Sequence, residues 1–175
     1  MDHTPPDAKF PFLGTHEGGT GQSVCFTLSQ QLGLENAQQF GDLVGALGLE
    51  PRHFAVLRTV HSGEGQSQQV IGDHLGIPAS TMVAIVDHLE GAGLLERRLR
   101  SSDRRTRTLH LTARGDSLQA EAFAAAMEHE ARVCAGLEPD ERERLLALLH
   151  RVSVNLGVSE SMLPDRGSGH RPQQF

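Results

Sequence analysis

The chain has no tryptophan and no tyrosine, and its seven phenylalanines bring aromatics to only 4% of 175 residues. Single-stranded nucleic acid is held largely by stacking bases on aromatic rings, so that mode of binding is nearly ruled out. Two cysteines, Cys25 and Cys134, are too few for a disulfide framework and lack zinc-ligand spacing, which suits a reducing compartment. No run of about 18 apolar residues is present to span a bilayer. Met1 to Pro6 lacks the basic-then-apolar pattern of a secretory leader, so the expected location is cytoplasmic. Positive charge is also short: formal net charge is -6, which taken whole argues against a polyanionic partner. Lys9 is the only lysine, so every other basic side chain is a guanidinium.

What is present reads as one folded region between two tails. Residues 1–20 and 164–175 are rich in Pro, Gly or Gln without core periodicity and are expected to be disordered. A first helix is expected over 22–47, on an interrupted stripe of Val24, Leu28, Leu32, Phe40, Leu43, Val44 and Leu47. Gly48 stops it and Pro51 opens a second helix, at a position where a missing N–H costs nothing. A short helix follows from Ser67, its N-cap, to Leu75, and Gly76 ends it. Another begins at Pro78 and buries Met82, Ile85, Val86 and Leu89. Two short helices joined by a tight turn form a helix-turn-helix pattern, or equally an ordinary helical hairpin.

The next segment favours the first of these. Leu94 to Arg100 reads as a strand, Ser101 to Arg104 as a turn, and Thr106 to Thr112 alternates polar and apolar residues as a half-buried strand does. A hairpin placed directly after such a helix pair is a wing. Two amphipathic helices close the fold. The first, Ala113 to Cys134, turns Leu118, Ala122, Phe123, Ala126 and Met127 inward. The second starts at Pro139 and carries Leu145, Leu146, Leu148, Leu149, Val152 and Leu156 over an arc too wide for one neighbour, which suggests a subunit interface. The fold class is therefore mainly α with a small β-hairpin wing.

Charge is distributed unevenly. Between Leu94 and Arg114 stand seven arginines against Glu96 and Asp103, a local balance of +5 that leaves -11 for the remainder. A protruding cationic hairpin can attract a polyanion despite an acidic body. The guanidinium fork suits phosphates and narrow grooves better than an ammonium does.

The segments Gly48 to Leu57, Leu89 to Arg97, Asp103-Arg104-Arg105 and Leu109-His110-Leu111-Thr112-Ala113-Arg114-Gly115, in this order and spacing, resemble the MarR family of winged-helix transcriptional regulators. The start of the final helix, Leu137 to Glu141, fits as well, and the resemblance covers about Val24 to Leu156. It implies a MarR-type domain over 21–163, with a winged helix-turn-helix lobe at 49–112 and dimerisation helices at 22–47 and 113–158. It further implies a homodimer on a pseudo-palindromic duplex, whose two-fold mirrors that of the protein. The helix from Pro78 becomes the recognition helix, with Ala79, Ser80, Thr81, Val83 and Ala84 outward. Only Ser80 and Thr81 of these can hydrogen-bond, so methyl contacts, duplex shape and the wing carry more of the specificity. Ala84 and Asp87 depart from the Arg or Lys common on this face in the family. Ser67 and Gln68 are placed for phosphate contacts. Arg105 is assigned to the minor groove with Asp103 holding it, and Arg100, Arg104 and Arg107 to phosphates.

The same resemblance implies a repressor released by a signal. Cys25-Phe26 resembles the reactive Cys-Phe of the peroxide-sensing branch, although the tyrosines that serve that thiol are absent. A phenolic or carboxylate effector near Phe26, His53, Phe54 and Arg58 is the second candidate. The ten histidines lack metal-ligand spacing, and no metal or cofactor is expected. An adaptor whose winged lobe binds protein is the alternative function. Without a Gly-rich phosphate loop, nucleophile elbow or paired-acid motif, an enzyme is not expected.

Overall fold

A computed structural model describes residues 21–100 and 103–158, with side chains described over 29–99 and 107–158. Six helices and one hairpin follow in order: α1 (Gly21–Gly45), α2 (Pro51–Ser62), α3 (Gln68–Leu75), α4 (Ala79–Gly91), β1 (Leu95–Arg100), β2 (Asp103–Leu111), α5 (Ala113–Val133) and α6 (Pro139–Asn155). Residues up to Gln39 form one unit and those from Phe40 onward another, so α1 crosses the boundary. Its first unit exposes Leu32 and Leu34. Both tails expected to be disordered lie outside the described residues.

The second unit is built on one core. Apolar residues at helical spacing in α2, Phe54, Val56, Leu57 and Val60, meet Ile71 of α3 and the α4 stripe Met82, Ile85, Val86 and Leu89. Leu94, Leu95, Leu109 and Leu111 from the hairpin and Ala122 from α5 complete it. All four α4 residues expected inside are buried. In α5 the outcome is mixed: Ala122 is buried, Leu118, Phe123 and Ala126 pack against the core, and Met127 is exposed instead. Gln119 and His129 are buried polar groups on that helix that apolar periodicity did not mark.

Local chemistry sets the element ends. Ser67 caps α3 by accepting the Val70 N–H at 3.3 Å, and Gly76 closes it in the left-handed region at φ 61°. Thr112 caps α5 by accepting the Gly115 N–H at 3.0 Å while donating to the Gly93 carbonyl at 2.7 Å. A Cβ on Gly115 would lie 1.9 Å from the Leu94 carbonyl oxygen. Thr112 and Gly115 thus let α5 start against the base of β1.

The strands pair antiparallel, Leu95 with Leu111 through Leu99 with Arg107, and the register breaks between Leu99 and Arg100. The second strand begins at Asp103, three residues earlier than the alternation indicated, because its outer half extends past the core. Along β1 the face that buries Leu95 half-buries Arg97 and leaves Leu99 exposed, as expected of a hairpin leaving the body.

Candidate nucleic-acid interface

The helix α4 packs on Met82, Ile85, Val86 and Leu89, so the 3.6-residue period turns Ser80, Val83, Ala84 and Asp87 outward. All four are exposed, as is Ala79, whereas Thr81 is half-buried. The exposed stripe is therefore a hydroxyl and two apolar side chains ending in one carboxylate. It suits van der Waals contact with a groove wall better than a dense set of hydrogen bonds.

Two connections fix α3 and α4 to the wing. The loop after α2 joins the outer edge of β2: Gly65 N–H donates to the Leu109 carbonyl at 3.3 Å, and Leu109 N–H to the Gln66 carbonyl at 2.9 Å. A bridge between Ser67 and Thr108 continues that pairing. This holds the α3 N-terminus, with Ser67 and Gln68, beside the wing. The second connection is Arg97. Its guanidinium meets Asp87 Oδ1 at 2.5 Å, pairs with Glu90 and reaches Gln68 Oε1 at 3.4 Å. The Arg97 backbone N–H also donates to Glu90 at 3.2 Å. Burial works against its charge, but pairing with Asp87 and Glu90 outweighs that and holds the guanidinium above its ordinary range.

The seven arginines between Leu94 and Arg114, six in the hairpin and Arg114 in α5, therefore differ in role. Arg97 is engaged by α4, Arg98 pairs with Glu96, and Arg114 donates to the Ala92 carbonyl at 3.1 Å. Arg107 is exposed on β2. The side chains of Arg100, Asp103, Arg104 and Arg105 lie outside the described residues, as do those of Cys25 and Phe26.

The remaining effector candidates on α2 each have a partner in the fold. His53 is buried, stacks on His88 of α4 at 4.7 Å, and accepts the Glu50 N–H on Nδ1 at 3.2 Å. Burial, partly opposed by Glu50 and reinforced by His88, lowers its pKa below the ordinary 6.5. Phe54 packs edge-on against Phe40 at 5.6 Å. Arg58 instead lies 4.3 Å above the Phe123 ring of α5. A shallow recess of about 290 Å³ opens elsewhere, lined by Pro51, Arg52, Ala55 and the Leu75–Pro78 turn. Among the described residues, no group of three or more His, Cys, Asp or Glu is placed to hold a metal ion.

Sequence reasoning missed Arg97 as a joint between elements, together with its partner Glu90. In the sequence Asp87 stands out only as an unusual residue on the outward side of α4. The signal was present as two acids three apart on one helix edge, followed by an arginine in the next strand. The His53–His88 stack left no such trace, because it forms between helices distant in sequence.

A family model described as MarR family matches residues 47–106. An HTH-type transcriptional regulator of Bacillus subtilis (strain 168), YkoM, itself uncharacterised, is 31% identical over 108 residues, 62% of this chain and 70% of that protein. Among solved structures, the transcriptional repressor CouR bound to a 23-mer DNA duplex superposes with a TM-score of 0.68 at 32% identity. That match covers 79% of this chain and 99% of CouR. A probable transcriptional regulator from Pseudomonas aeruginosa gives a TM-score of 0.63 at 29% identity, covering 74% of this chain and 96% of that one.

Proposed function

From the premise that this chain belongs to the MarR family of DNA-binding transcriptional regulators, we propose that it represses transcription by reading a pseudo-palindromic duplex as a homodimer. In this reading α4 enters the major groove and presents Ala79, Ser80, Thr81 and Val83 to base edges. Ser67 and Gln68 approach the backbone. Arg105, steadied by Asp103, occupies the minor groove, and Arg100, Arg104 and Arg107 meet phosphates. The single observation that carries the reading is an outward face of α4 joined by Arg97 to a strongly cationic hairpin. The likeness to CouR, a repressor bound to DNA, supports repression.

The dimer is supported by α6. This helix buries no residue, yet it exposes Leu145, Leu146, Leu148, Leu149 and Val152, with Leu156 exposed at its C-cap. An apolar face of that extent is covered by a partner in a soluble oligomer. For release, Arg58 over Phe123 offers a cation beside an aromatic face, the pair a small phenolic carboxylate would use. The site of action is the cytoplasm, and no catalytic step is assigned.

Selection of bound sites from random duplexes tests the reading. An inverted repeat with half-sites about one helical turn apart is the expected product. Recovery of no enriched duplex would leave a protein-binding winged lobe as the function instead.

A further inference from the structure

We propose that Asp87 is a specificity-determining residue that works through Arg97. It occupies the wing guanidinium and places a negative charge on the reading face, so that sequence-independent binding is held down. The inference rests on the reading of α4 as the helix that enters the groove.

The exposed stripe Ser80, Val83, Ala84 and Asp87 carries one formal charge, and it has the sign that DNA phosphates repel. Asp87 contributes little to the core, since its side chain is 60% exposed. Nor is it needed to anchor Arg97. Glu90 does that already, taking one guanidinium nitrogen and the Arg97 backbone N–H together. What Asp87 adds is a bond to the other terminal nitrogen, at 2.5 Å.

Without Asp87 that nitrogen keeps only the long contact to Gln68 at 3.4 Å. Arg97 would then turn a donor outward, beside the α3 N-terminus where a phosphate is expected. With Asp87 in place, the same cation is neutralised and fixed. The effect falls mainly on phosphate attraction, which every duplex offers equally. Base-edge contacts from Ser80 and Val83 are untouched. Asp87 therefore costs affinity for all duplexes and raises the ratio of operator to non-operator binding. It also limits capture of the protein by the large excess of non-specific sites in a genome.

The test uses the full chain with Asp87→Asn, Asp87→Ser and the charge-preserving Asp87→Glu. Each is titrated by fluorescence anisotropy onto the duplex selected above and onto a scrambled duplex of equal length, over a series of salt concentrations. Thermal melting is recorded in parallel. We expect Asn and Ser to tighten scrambled-duplex binding about fivefold at low salt and to lower the operator-to-scrambled ratio. The log–log salt slope should steepen by up to about one, the value for one added phosphate contact. Asp87→Glu should restore the wild-type slope and ratio, a rescue that a packing role would not produce. Measuring two neutral variants keeps a fold defect in either from standing in for the result. If wild type binds its operator while both neutral variants match it in affinity, slope and ratio, or bind the scrambled duplex more weakly, this inference alone is overturned. If wild type binds no duplex, the DNA-binding reading fails and the inference with it.

Discussion

Gly115 has only a hydrogen where any other residue would place a Cβ 1.9 Å from the Leu94 carbonyl oxygen. That obstacle is backbone, so relief requires moving the α5 N-terminus or the base of β1. Gly115→Ala is therefore expected to destabilise the fold by at least about 1–3 kcal/mol, read as a lowered urea midpoint. His53 makes stability depend on pH. Its Nδ1 accepts the Glu50 N–H, and burial disfavours its imidazolium. The unfolded chain takes up a proton near the ordinary value of 6.5, while the folded chain does so only at lower pH. Stability from this group is thus present above that value and lost as pH falls through it. Melting temperatures measured between about pH 7.5 and 5.5 should fall with acidity. His53→Gln, which keeps an acceptor at the third helical position, should flatten the decline.

Among the elements, α3 depends most on its ends. It spans only Gln68–Leu75, and Ser67 satisfies one of its free N–H groups. Ser67→Ala should lower stability by about 1 kcal/mol in thermal or urea unfolding. Short caps of this kind are legible in sequence because their chemistry lies within three or four residues. The same holds for the α4 stripe, where a 3.6-residue period is enough to name Met82, Ile85, Val86 and Leu89. The start of β2 was not legible. Residues 103–106 are polar or charged and extend past the core, so no alternation marks them as strand. Met127 lies off the buried face of α5, which runs through Gln119, Ala122 and His129, and two polar residues on that face hid its direction from apolar periodicity. Of the candidate interface, the exposed residues of α4 and the run of arginines in the hairpin are legible in the sequence. The Arg97 joint and the His53–His88 stack are not, because each depends on how elements meet after folding.

At the scale of the whole molecule, net charge misleads until it is resolved by position. A chain of -6 carries +5 on residues 94–114, so an acidic body presents one cationic edge. Pairing of Arg97 with Asp87 and Glu90, and of Arg98 with Glu96, offsets part of that charge, while Arg107 stays exposed. The exposed face of α6 is the other whole-molecule feature. Replacing Leu145 and Leu149 by Glu should convert a dimer to a monomer by sedimentation or light scattering, and should weaken operator binding with it. A double variant that stays dimeric would remove α6 from the interface. Whether α4 and the wing together grip a specific duplex is decided by one titration. Operator affinity of wild type and Arg105→Ala is measured across a salt series. A log–log slope of several units is expected for wild type, and a loss of about 1–3 kcal/mol in Arg105→Ala. A flat salt response, or an Arg105→Ala chain that binds its operator as tightly as wild type, would contradict such a grip.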